Sequence, residues 1–208
     1  MHATISRRLA VALLLGATAA TAARAQTAPA SPPTRIRGTI KSLDGNVLSV
    51  TTREGPVVQI KLNDGFTVAS LKKLALTDIT KGSYIGTAAE PGPDGELVAL
   101  EVLVFPEANR GAGEGHYAWD LTPKTTMTNA NVEASVQGNA GNVLTLTHKN
   151  GTTKVRVPPG VPIVTPQPAA KEDLQPGRAI FSIAAKAADG TLSTGRVTVE
   201  KDGVAPPM

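Results

Sequence analysis

Side chains able to do chemistry crowd into one short stretch. Positions 111–120 read GAGEGHYAWD and carry Glu114, His116, Tyr117, Trp119 and Asp120. Trp119 is the only tryptophan in 208 residues, Tyr117 one of two tyrosines and His116 one of three histidines. Carboxylate and imidazole so close together are the types used for general acid–base work or for holding a metal. Met127 follows, and imidazole with thioether suits a monovalent copper ion. Hydrolytic zinc sites usually take three protein ligands, whereas His148 is the only other histidine after residue 25. Neither a G-x-S-x-G segment nor a cysteine is present. Gly111-x-Gly113-x-Gly115 lacks the G-x-G-x-x-G spacing and the βαβ setting of a dinucleotide site. No catalytic residue is therefore assigned. One expectation is that Tyr117 and Trp119 pack between two domains or line a ligand site, with glycines turning the chain, Asp120 capping a turn and His116 hydrogen-bonded. An alternative is a metal-ion site using His116 and Met127, and a weaker one is a hydrolase acting on an envelope substrate.

The elements that position this stretch follow from composition and pattern. Residues 1–25 read as a signal peptide: Arg7 and Arg8, an apolar run from Leu9 to Ala22, then Ala23-Arg24-Ala25 as an A-x-A cleavage site. The run falls short of the about 20 residues of a membrane span, so no span is expected after cleavage. Ser6-Arg7-Arg8 leaves general and twin-arginine export both open. Removing Arg7, Arg8 and Arg24 lowers the formal net charge from +4 to +1. That near-neutral balance, with six aromatics that do not cluster, argues against nucleic acid as a partner. Residues 26–34 (QTAPASPPT) read as a flexible spacer.

The rest reads as two copies of one unit. Gly45-Asn46-Val47-Leu48 recurs as Gly141-Asn142-Val143-Leu144, Asp78 and Gly82 as Asp173 and Gly177, and Asp94-Gly95 as Asp189-Gly190. Within each copy apolar residues alternate with period two: Ile36 and Ile40, Leu48 and Val50, Val58, Ile60 and Leu62 in the first; Val132, Val136, Leu144, Leu146, Val155 and Val157 in the second. Asp-Gly and Asn-Gly pairs mark the hairpins. Ser70 to Ala75 is expected to form a short helix capped by Ser70. The last strand of the first copy is apolar on two faces, Val98, Leu100, Val102 and Val104 against Leu97, Ala99, Leu103 and Phe105, broken only by Glu101. It predicts that the connector or the second barrel packs on Leu103 and Phe105. Three strands, a short helix or turn and two strands is the order of the OB-fold. The expected fold is all-β: two tandem small OB-like Greek-key barrels at 35–108 and 131–203, joined by a Gly/aromatic connector at 109–130, with a tail at 204–208.

The G-x-I start, D-G-N-V-L-x-V, D-I-x-x-G and D-G-x-L-x-A-x-x-V resemble the DUF5666 family of uncharacterised exported bacterial domains with an OB-like barrel. The resemblance spans both copies, rests on turn and core residues, and implies a fold without a chemistry. The expected function is a non-catalytic binding or scaffold protein, periplasmic or secreted, whose partner is an envelope protein or a small ligand between the barrels. The alternative of a periplasmic carrier of monovalent copper or a similar ion keeps a metal as its cofactor; otherwise none is expected.

Overall fold

The computed structural model describes residues 32–138 and 141–207, so the expected signal peptide and most of the spacer lie outside the described residues. The chain is all-β, with no α-helix among the described residues. Its first three strands are β1 (Thr34–Asp44), β2 (Val47–Thr52) and β3 (Val57–Lys73). After them come β4 (Tyr84–Pro91), β5 (Leu97–Val104), β6 (Gly115–Ala118), β7 (Thr126–Gly138), β8 (Gly141–His148) and β9 (Gly151–Val157). The last are β10 (Ile163–Ala169), β11 (Ala179–Lys186) and β12 (Leu192–Val199).

Strand pairing closes on itself twice. β1, β2 and β3 form a meander, β12 adds to β3 in parallel, and β11 returns from β12 to β1. These five strands make a closed barrel. The other circuit runs β4–β7–β8–β9, closes through a parallel pair between β9 and β5, and returns to β4. β10 lies between the rings, antiparallel to the second half of β3 and parallel to the end of β5.

This closure differs from a barrel within 35–108 and another within 131–203. The first ring takes β1–β3 from one expected copy and β11–β12 from the other. The second ring is continuous from β4 to β9 and is inserted in sequence between β3 and β11 of the first. The chain passes between rings at 74–83 and 158–178, so the stretch 109–130 is an excursion within the second ring and not a connector between barrels. Backbone donors and acceptors are alike on every strand, so the same apolar face can be closed by a neighbour from either copy.

Each ring has its own apolar interior. Leu48, Val50 and Ile60 are fully buried in the first with Leu174 and Val199. Leu144, Leu146 and Val155 fill the second with Ile79 and Ile163. Burying each such side chain contributes about 1.5–3 kcal/mol. Two short 3-10 turns plug the ring mouths in the same way. Asp78 Oδ2 accepts from Ala75 N at 2.8 Å and Asp173 Oδ2 from Ala170 N at 3.0 Å, just before Ile79 and Leu174. Gly82 and Gly177 then turn the chain at a φ of +87°, where a Cβ is strained.

Three local expectations are corrected. Ser70–Lys73 is not helical: β3 runs through it because β10 pairs with Val68 to Lys73. Pro166 and Pro168 sit at alternate positions of β10, so their missing N–H groups fall on one edge, which fits a strand paired on the other. Val136 does not point inward; it is 62% exposed. The β7–β8 pairing runs two pairs further towards its turn than the β1–β2 pairing, so the residue that matches Ile40 is Val132: Ile40 faces Val50 beside a bulge, and Val132 faces Leu146 beside another, which reverses the alternation before Val136. Finally, a bulge in β5 leaves Leu100 out of the ladder and reverses the alternation there. Leu97, Ala99, Val102 and Val104 all reach the interior. Glu101, Leu103 and Phe105 face the first ring.

Candidate functional site: the cavity between the rings

The excursion from β5 to β7 lays the GAGEGHYAWD stretch along the outside of β7. β6 pairs with its start, His116 opposite Thr128 and Tyr117 opposite Met127. Strand alternation therefore sends His116 to one face and Tyr117, Trp119 and Met127 to the other. His116 and Met127, the expected metal pair, lie on opposite faces for this reason. His116 Nδ1 is 2.8 Å from Thr128 Oγ1, and its ring stacks on His148 at 6.3 Å. Burial, followed by the charge of His148, lowers the His116 pKa.

The carboxylates of the stretch are engaged elsewhere. Glu114 Oε1 accepts from the backbone N–H of Lys149 at 2.8 Å. Asp120 is held by Arg37 at 2.9 Å and Arg35 at 3.6 Å, both from β1. Arg53 adds donations to the Asp120 and Leu121 carbonyls at 2.6 and 3.2 Å. Burial works against its charge, but the Arg37 hydrogen bond and the two guanidinium charges hold the Asp120 carboxyl below its ordinary range. Asp120 thus fastens the excursion of the second ring to the first. Among the described residues no group of three or more His, Cys, Asp or Glu side chains is arranged to hold a metal.

Tyr117, Trp119 and Met127 face a cavity of about 540 Å³ between the rings. That size lies in the range of small-molecule sites, about 300–1,000 Å³. The first ring supplies Phe181 and Ile183 of β11 and Arg196 of β12; the second supplies Leu103 and Phe105. Leu103 is buried against Val164 of β10, from the expected second barrel, and against Leu71 of β3, from the expected first one, so its cover comes from both. Phe105 is half-buried and meets Tyr84 at 5.3 Å between ring centroids.

Two residues that line this space each carry a covered polar atom without a partner. Trp119 is half-buried, yet its Nε1 is fully covered and makes no hydrogen bond. Asn129 is 7% exposed; its Nδ2 donates to the Ala112 carbonyl and to Tyr117 Oη, and its Oδ1 has no partner. A buried polar group left unpaired costs about 1–3 kcal/mol. Two glycines make room for this asparagine. A Cβ on Gly86 would stand 2.6 Å from Asn129 Oδ1, and one on Gly113, at φ +60°, 2.8 Å from Asn129 Nδ2. The Tyr84 hydroxyl donates to the Ala112 carbonyl at 3.1 Å and is pushed up to about 12, by burial first and by the Glu114 charge second.

Glu101 is the other buried polar group on this interface. It is 2% exposed, and neither carboxylate oxygen has a partner. Burial pushes its pKa up to about 8, and the Arg37 guanidinium offsets only part of this. Arg37 itself is 9% exposed, with its Nε unpartnered. The sequence signals were a lone acid in a strand otherwise apolar on both faces, and two arginines at alternate positions of β1. Phe181, Asn129 and Arg196 gave no comparable signal, since their role depends on which strands meet.

No protein-family model, curated protein or solved structure matches this chain. Among the described residues no helix is long and apolar enough to cross a membrane.

Proposed function

We propose that the chain is an exported, non-catalytic binding protein that holds a small ligand between two OB-like rings. The rings are two diverged copies of a DUF5666-like unit that have exchanged their last two strands. Each then has the OB connectivity, three meandering strands closed by a parallel third–fifth pair, and the matched Asp78 and Asp173 turns support a common origin. One observation carries the binding reading: a roughly 540 Å³ cavity between the rings lined mainly by apolar side chains, Trp119 among them. A non-catalytic role is supported by the engagement of Glu114, His116 and Asp120 in structural contacts.

Trp119 is the only tryptophan, so intrinsic fluorescence reports on the cavity alone. Titration with a neutral apolar probe, decanol, is expected to change Trp119 emission and raise Tm. Ile183→Glu at the 49%-exposed rim should weaken that binding several-fold with Tm of the free protein unchanged. Emission and Tm that ignore decanol and its charged ten-carbon analogues alike would overturn the reading.

A further inference from the structure

We infer that the ligand is an amphipathic monoanion, an apolar body ending in one carboxylate. The inference rests on the cavity reading above and adds its charge. Two arginines, Arg35 and Arg196, stand on the cavity wall, and no aspartate or glutamate is among the described lining residues. Arg196 is exposed and its side chain has no hydrogen bond or ion pair among the described residues. Arg35 stands 3.9 Å over the Trp119 ring, and its contact with Asp120 is the longer of that carboxylate's two, 3.6 Å against 2.9 Å for Arg37. A guanidinium therefore sits on the Trp119 ring at the cavity wall. Two cations with no acidic side chain among the described lining residues are complementary to a carboxylate, which only accepts hydrogen bonds.

The rest of the wall fits the other end of such a molecule. Leu71, Leu103, Met127, Phe181 and Ile183 offer apolar surface, and Ile183 is one of few large apolar side chains left exposed among the described residues. A cationic ligand has no matching partner there: the nearby Asp120 is already paired twice.

Three ten-carbon probes separate the possibilities on the full mature chain: decanoate, decanol and decylamine, read by Trp119 emission and by Tm. Decanoate is expected to bind about tenfold tighter than decanol, and decylamine more weakly than either, as a charge-assisted hydrogen bond implies. Arg196→Gln, at an exposed position, should remove most of the decanoate advantage and leave decanol binding as it was. Equal binding of decanoate and decanol, or a preference for decylamine, would overturn the anion assignment while leaving the cavity as a site. Decanoate binding that is untouched in Arg196→Gln and in Arg35→Gln would overturn it as well. If none of the three probes moves emission or Tm, the cavity reading falls and the anion inference with it.

Discussion

The two rings are alike inside and unlike outside. Leu48 and Leu144 hold the same interior position, as do Val50 and Leu146, and both rings are plugged after a 3-10 turn capped by aspartate. Their outer faces have little in common. β5 presents Glu101, Leu103 and Phe105 to its neighbour, and the second ring alone carries a long excursion with the only tryptophan. β1 and β11 of the first ring answer with Arg35, Arg37, Phe181 and Ile183. An interior of this kind stabilises a ring; most of these unshared outer residues line the cavity between the two.

The sharpest test of that contrast is Glu101, which has no counterpart on the outside of the first ring. Its carboxyl is raised from 4.5 to about 8 in the folded chain, so the unfolded chain ionises first as pH rises. This residue's contribution is therefore full below about pH 4.5, is lost as pH rises, and levels off above about 8. Glu101→Gln should be more stable than wild type at pH 8, on the order of 4 kcal/mol in urea unfolding. The gap should close towards pH 4.5. A gap that is constant with pH would place the carboxyl in water.

Equivalence of the interiors is tested by Leu48→Ala and Leu144→Ala, each fully buried. Both should cost about 3 kcal/mol and leave a single unfolding transition, because the first ring is closed by strands on either side of the second in sequence. Separate transitions followed by Trp119 emission and by far-ultraviolet circular dichroism would show the rings to be independent. On the cavity side, Gly113→Ala forces a Cβ into a φ of +60° and against Asn129. A loss of about 1–2 kcal/mol is expected by thermal melting, with a shifted Trp119 emission; Gly95→Ala, at φ +75° with open space around it, should cost less and leave emission unmoved. The smallest effect separates two valines of one strand. Val136→Thr should stay within about 0.5 kcal/mol of wild type, while Val132→Thr at 1% exposure should cost about 1–3 kcal/mol.

Alternation of apolar residues, Asp-Gly turns and the paired aspartate–glycine segments were enough to mark almost every strand and to bring out the aromatic stretch. A side chain's face is decided locally, by a period of two, and so is legible from residue types. Three things were not. Val136 was misplaced because a bulge between Val132 and Ala134 reverses the alternation along β7. The phase of β5 changes at a bulge that its own residues do not announce. Above all, the partners of the strands were not legible. Backbone N–H and C=O groups are the same in both copies, so the choice between closing each copy and exchanging strands depends on what else the closure buries. In the tertiary structure the observed strand pairing sets Glu101 of one ring near Arg37 of the other, covers Leu103 with β3 and β10, and leaves a cavity lined by Phe105, Trp119 and Phe181. The cavity belongs to neither expected copy by itself, which is why only tertiary pairing could create it.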